Sequence, residues 1–244
     1  MKRDELLERL FPQGIELAAS SAEFFAGGAR VGAASVAVVG TANAAELGVD
    51  LLLRISEFVL QTLRRHPGRA IVMLLDTQGQ RLRRREELLG LNGYMAHLAK
   101  VLEVARQRGH RILSLVYGQA VSGGYLTTGM MADAAYALAD AEIKVMNLPA
   151  MARITKIPLP RLEALAQESP VFSPGVENYH RMGHLAQIWQ GDLAARLLEA
   201  LEGPPEPPGD HRMLRGQQRG GRTSALGVAQ AVAGAVVGDA STAR

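Results

Sequence analysis

The sequence predicts an α/β fold, a mostly parallel sheet covered by helices. Three observations predict it. Short runs that are apolar on both faces recur at residues 35–40 (SVAVVG), 71–75 (IVMLL) and 112–116 (ILSLV). Segments with apolar residues at helical spacing separate them, at 47–65 and 86–108. Pro67-Gly68 and Gly109 end those two segments. Strands apolar on both faces are the ones buried between helical layers. Crossovers of about thirty residues suit parallel strands.

Taken in order, residues 2–11 form a short amphipathic helix with Leu6, Leu7 and Leu10 on one side, ended by Pro12 and Gly14. Residues 15–34 read as irregular, with Gly27, Gly28 and Gly32 as breakers. The first strand is 35–40. In the helix at 47–65, Leu51, Ile55, Phe58, Val59 and Leu63 share a face. After the strand at 71–75 comes a single long helix, 86–108, then the strand at 112–116. Gly123 and Gly124 open a helix running to about Met131, followed by strands at 134–138 and 142–146. Residues 158–168 and 175–190 read as helices, with Pro170 and Pro174 between them. The stretch 203–222 (GPPEPPGD, then the basic RMLRGQQRGGR) reads as a loop or linker. A final Ala/Val-rich helix covers 223–237, and the tail DASTAR is expected to be disordered. The domain division expected is therefore 1–202, a linker at 203–222 and a C-terminal helix and tail at 223–244.

Composition excludes several classes. Hydrophobic residues make up 48%, enough for a full core, and aromatics at 5% leave the packing to Ala, Gly, Leu and Val. A formal charge of +3 with so few aromatics gives no footprint for nucleic acid. With no cysteine, disulfides, thiolate nucleophiles and Cys-based zinc sites are out. The six histidines form no HExxH pattern. His180 and His184 are four apart but lack a third ligand, so a structural role is expected and no metal. MKRDELLERLF has no apolar signal-peptide segment, and no apolar run approaches the ~18 residues a membrane span needs. A cytoplasmic protein without membrane contact is expected.

Two loops stand out, each after an apolar strand and before a helix: Asp76-Thr77-Gln78-Gly79-Gln80 and the run from Tyr117 to Tyr125 (YGQAVSGGY). In open α/β sheets ligands bind beyond the carboxyl ends of the strands. A helix start leaves N–H groups unpaired and partly positive, and glycine lets a ligand oxygen approach them. Two such loops side by side can aim backbone amides of Gly79, Gln80, Gly123 and Gly124 at one oxygen. Losing one donor of such an oxyanion hole costs ~3 kcal/mol in the transition state. A tight turn with close helix–sheet packing accounts for the same glycines equally well, and the pattern alone leaves both readings open.

The segment VYGQAVSGGYLTTGMMAD at 116–133 resembles the oxyanion segment of the crotonase superfamily, and 71–80 resembles its first one. The resemblance, extending from about 35 to 190, implies a spiral of β-β-α units. Two branches are tested by residue. GQAVSGG is similar to the nucleophile segment of Clp-type serine peptidases, with Ser122 as nucleophile. The expected His-Gln-Pro run is here Asn147-Leu148-Pro149, and Asn147 accepts no proton near neutral pH. Ser122 is expected instead as a helix N-cap. Enoyl-thioester hydratases use two glutamates, and those positions fall at Leu126 and Ala150. A scaffold that keeps its amides but has neither set of side chains resembles the carboxyltransferase and malonate decarboxylase branch.

Within that branch, VVGTANAAELGVDLLLRISEFVL (38–60), VYGQAVSGGYLTTG and NLPAMARITKIPLPRLEALA (147–166) resemble the gamma subunit family of biotin-independent malonate decarboxylases. The resemblance implies pairing with a beta subunit of like fold. It implies a malonyl thioester carried on the CoA-derived prosthetic group of an acyl-carrier subunit, with no cofactor bound by this chain itself. The products implied are acetyl thioester and CO2. A non-catalytic scaffold subunit and a biotin-dependent carboxyltransferase subunit remain as alternatives. Gln78, Ser122, Tyr125, Asn147, Arg153 and Lys156 are candidates for substrate contact, Tyr125 being equally placed for the core. Arg81, Arg83, Arg84 and Arg85 either steer an anionic substrate or form a solvated helix start. Asp133 and Asp140 are expected to cap or turn, and Met130, Met131 and Met146 to pack.

Overall fold

The computed structural model describes residues 1–168, 174–204 and 209–242, from 235 onward by backbone alone. Pro170 lies outside them. One nine-stranded sheet runs β1(Ile15–Ser20), β2(Phe24–Val31), β3(Ala34–Thr41), β5(Ile71–Gln80), β6(Ile112–Val121), β7(Ala134–Leu138), β9(Gln187–Trp189). Two short strands lie off that path: β4(Ala45–Leu47) beside β5 and β8(Glu142–Lys144) beside β6. Every pairing from β3 onward is parallel. This is the spiral α/β arrangement of the crotonase-like fold.

The centre of the sheet follows from the apolar runs. Residues 71–75 of β5 and 112–117 of β6 are buried throughout, and each large aliphatic side chain so buried contributes about 1.5–3 kcal/mol. Helices α2(Val49–Arg65) and α4(Leu91–Gln107) turn apolar stripes into the core and pack on each other, α2 also against β3, and α1(Arg3–Leu10) buries Leu6, Leu7 and Leu10.

Several expectations are corrected. Residues 15–34 are not irregular: β1 and β2 form an antiparallel hairpin that continues onto β3. Gly27 lies so close to the Glu16 carbonyl of β1 that any side chain would collide with it. The glycines there are a requirement of strand packing, not breakers. The helix expected at 86–108 is two, α3(Arg84–Leu88) and α4, divided at Gly90 in the left-handed region (φ +73°). The two loops of interest are largely strand, since β5 runs on to Gln80 and β6 to Val121.

The segment opened by the glycines is a short helix, α5(Ser122–Leu126), then a 3-10 turn at Gly129–Met131. Beyond β8 come α6(Leu148–Thr155) and α7(Leu159–Glu168). The helix expected at 175–190 is α8(Val176–Arg181) followed by β9, with α9(Leu193–Glu202) after it. The stretch 203–222 carries a helix, α10(Arg212–Gln218). It is docked, because the Arg219 guanidinium donates to the carbonyls of His180 (2.8 Å) and Leu185 (2.7 Å). The last helix, α11(Ala225–Thr242), continues through most of the tail expected to lack structure; residues 243–244 lie outside the described chain. Among the described residues no helix is long and apolar enough to cross a membrane.

Candidate functional site

The site lies where β5 and β6 leave the main sheet. Through Leu75 they pair in register; the register then shifts, they meet once more at Thr77 and Ala120, and their upper parts also pair with β4 and β8. That upper layer carries both glycine turns to one place. Gly79 has φ +103°, a left-handed conformation. A Cβ on Gly124 would stand 2.8 Å from Gly79 Cα and 2.9 Å from its carbonyl carbon, closer than real packing permits. Backbone therefore touches backbone, and only glycine at 124 lets the turns meet. The Gln80 side chain lies against Gly123, its Oε1 3.1 Å from where a Gly123 Cβ would sit. Gln80 and Gly123 are thus neighbours, as the two-loop reading required.

The donors sort unequally. The Gly79 N–H is already used, donating to Thr77 Oγ1 at 3.0 Å. Thr77 is fully buried, and its hydroxyl in turn donates to the Ala45 carbonyl at 2.6 Å. This corrects the expectation that Gly79 offers its amide to a ligand; its role is conformational. Gly123 and Gly124 stand in the first turn of α5, whose N–H groups have no acceptor inside the helix, and no side chain caps them. Ser122 does not cap the helix as expected. The N-cap is Val121, and Ser122 is itself the first helical residue, at φ +54°. A non-glycine residue held there is strained by ~1–3 kcal/mol, the kind of cost that collects at binding sites.

Other candidates fall elsewhere. Tyr125 points into the core, not into the mouth between the turns. It is 2% exposed and packs edge-on to Tyr179 at 6.4 Å, and burial drives its hydroxyl pKa well above the ordinary value. Gln78 is exposed beside the first turn. Asn147 is spent as the N-cap of α6, its Oδ1 accepting from Ala150 N–H at 2.8 Å. Arg153 and Lys156 are exposed at the far end of α6, Lys156 closing it at φ +62°. Three of the four arginines after the first turn are engaged. Arg81 and Arg83 bind Glu46 at 3.3 and 2.8 Å, and Arg85 binds Asp50 at 3.0 Å and Glu86 at 3.2 Å. Arg83 and Arg85 stay more than half exposed at the start of α3 while they tie it to β4 and α2, and Arg81 is the more enclosed of the three. Asp133 accepts from Ile112 N–H at 2.7 Å and from Arg106 at 2.8 Å, a clasp at the opposite end of the sheet.

His184 is half-buried, edge-on to Tyr179 at 5.3 Å, and burial next to the Arg212 charge lowers its pKa to about 4. Among the described residues no group of three His, Cys, Asp or Glu is placed to hold a metal.

Some site residues escaped sequence reasoning. Met95 of α4 ends 2.9 Å from the Gly123 Cβ position, so its methyl covers the second turn. Leu47 of β4 closes on Gly124 in the same way, at 3.2 Å. Met95 lies beyond the Gly90 break, and nothing in its spacing links it to either loop. On the segments that follow these strands, large apolar side chains stand exposed: Leu82, Leu88 (76%), Leu126, Val145 and Ile154 (67%). No residue of α6 is buried, and its contacts are with α7.

A family model for the malonate decarboxylase gamma subunit matches residues 42–236. The chain belongs to that family. Among solved structures, a Pseudomonas malonate decarboxylase MdcD-MdcE hetero-dimer matches with TM-score 0.74 and 25% identity, over 93% of this chain and 96% of that one. The transcarboxylase 12S core matches with TM-score 0.70 and 21% identity, over 85% of this chain and 43% of that one, and shares the fold. A malonyl-S-ACP:biotin-protein carboxyltransferase from Malonomonas rubra is 32% identical over 175 residues, 63% of this chain. The gamma-subunit chain spans 58% of the length of that relative.

Proposed function

We propose that this gamma subunit takes part in decarboxylating a malonyl thioester, holding a substrate oxygen on backbone amides at the two adjoining turns. One observation carries the reading. The strand ends bring the backbones of Gly79 and Gly124 into contact and lay the Gln80 side chain against Gly123, beside uncapped first-turn amides. Breaking the bond between the methylene carbon and the carboxylate releases CO2 and leaves the electron pair as a thioester enolate. Protonation of that carbon then gives the acetyl thioester. N–H donors fixed around the oxygen that gains charge lower the barrier without a side-chain nucleophile. With Gly79 N–H taken by Thr77, the donors left to this chain are Gln80, Gly123 and Gly124.

The substrate arm is CoA-derived and sits on an acyl-carrier subunit, and a beta subunit of like fold completes the site. The Pseudomonas hetero-dimer supports such pairing. So does the exposed apolar rim from Leu82 to Ile154, of the kind that marks an interface. Substrate contact by Gln78, Arg153 or Lys156 belongs to this assembled state.

The experiment is turnover of a malonyl thioester by the reconstituted beta–gamma pair, with Gly123→Val in the gamma chain. Loss of turnover in a pair that still assembles supports the reading. Full turnover makes this chain a scaffold. The Malonomonas relative favours a second reading, transfer of the carboxyl group to biotin. Turnover that requires a biotinylated carrier decides for it.

A further inference from the structure

We infer that Asp76 is a positioning residue for the two turns, its carboxylate setting the distance between them. The inference rests on the amide-site reading above. Asp76 occupies the point where β5 leaves the main sheet, at the register shift between Leu75 and Thr77. Its two oxygens face opposite ways. Oδ2 accepts from Ala44 N–H at 2.9 Å, the residue before β4. Oδ1 accepts from Gln119 N–H at 2.9 Å, three residues before Ser122. Its own N–H donates to Thr41 Oγ1 at 3.1 Å, at the end of β3. The buried Tyr117 hydroxyl donates to the Thr41 carbonyl at 2.7 Å. The Asp76 side chain thus ties β5 to the start of β4 and to β6 at their bend, while its backbone N–H reaches the end of β3.

The surroundings are shaped for this clasp. Asn43 and Ala44 both stand at positive φ, +57° and +50°, a strained pair whose second amide the carboxylate holds. Gly118 passes so close to the Asp76 carboxylate that any side chain there would overlap it. Both arms lead to the site. Through Ala44 the carboxylate fixes β4, which pairs with Gly79 and Gln80. Through Gln119 it fixes the strand that delivers Ser122 and Gly123. A charge-assisted bond to each arm is about twice as strong as a neutral one. Asp76 touches no reacting atom in this scheme; it acts through the amides.

The test compares Asp76→Asn with Asp133→Asn, in the full beta–gamma pair turning over a synthetic malonyl thioester. Asp133 is the matched control, since it also holds a strand N–H and an arginine, but at the other end of the sheet. Asn at 76 keeps one acceptor and turns an NH2 toward the other N–H. Asp76→Asn is expected to lower kcat at least tenfold with KM within twofold, while Asp133→Asn lowers the unfolding midpoint comparably and leaves kcat within twofold. Gly118→Ala, which displaces the carboxylate without removing any donor, is expected to reproduce the kcat loss. That variant serves if Asp76→Asn fails to assemble. Asp76→Asn or Gly118→Ala with kcat within twofold of the parent, in an assembled pair, overturns the inference. So does an equal kcat loss in Asp133→Asn. Gly123→Val run alongside keeps the two ideas apart: its full activity sinks the amide site itself, whatever Asp76 does.

Discussion

Adding one methyl group at Gly124 perturbs the site in a way whose size can be worked from the backbone. An alanine Cβ there meets Gly79 Cα at 2.8 Å and its carbonyl carbon at 2.9 Å. Ordinary carbon contacts lie at about 3.5–4.0 Å, so the turns must part by roughly 0.6–1.2 Å. Neither neighbour is a flexible side chain that can swing aside. Overpacking of this kind costs about 1–3 kcal/mol, which for a chain of this size lowers the unfolding midpoint by roughly 2–12 °C. A hydrogen bond stretched by most of an ångström is largely lost. Removing one such donor costs about 10²–10³ in kcat. The assay is malonyl-thioester turnover by the beta–gamma pair, with thermal unfolding of the gamma chain in parallel. Gly124→Ala is expected to lose kcat out of proportion to its folded fraction. A kcat within threefold of the parent at an unchanged midpoint would refute the reasoning.

Three further outcomes are expected. Gln80 Oε1 is buried without a hydrogen-bond partner, so Gln80→Leu should leave stability equal or higher; a loss above about 1 kcal/mol in denaturant unfolding contradicts the packing described. Glu46→Gln removes the carboxylate that Arg81 and Arg83 share and leaves Arg81 its second partner, Glu23. At about 0.2–1 kcal/mol per exposed pair it should lower stability slightly and leave KM unchanged, whereas a fall in KM would restore the steering role of those arginines. His184 has a folded pKa of about 4, below its unfolded 6.5. The unfolded chain therefore binds the extra proton first. The stability His184 contributes is whole above pH 6.5 and is lost as pH falls from 6.5 toward 4. Unfolding midpoints of the parent and His184→Phe across that window should diverge, with the parent falling more steeply; parallel curves contradict the burial of this ring.

The main sheet was legible because β3, β5, β6 and β7 are apolar on both faces, a pattern that a sheet covered by helices demands and an exposed strand does not tolerate. The hairpin of β1 and β2 was not. Its small residues satisfy a close strand approach at Gly27, and glycine in sequence reads as a break. The Gly90 division of the long helix was hidden for the opposite reason, since the apolar spacing on either side continues. In the site, the two glycine loops were visible as strand-to-helix joins, and their contact at Gly79 and Gly124 agrees with that. What failed was the assignment of individual atoms. The Gly79 amide is bound by Thr77, Tyr125 is turned into the core, and Ser122 begins the helix instead of capping it. Each depends on which way a peptide or side chain faces, and residue spacing carries no such information. Met95 and Asp76 gained their places only through tertiary contacts.

The most direct measurement is a crystal structure of the beta–gamma pair holding a non-cleavable malonyl-thioester analogue. An oxygen of the analogue is predicted within about 2.7–3.1 Å of the Gly123 or Gly124 nitrogen, with Gln80 lining the same pocket. An analogue bound away from both turns, or amides at 123 and 124 directed into the protein in the liganded pair, would contradict it.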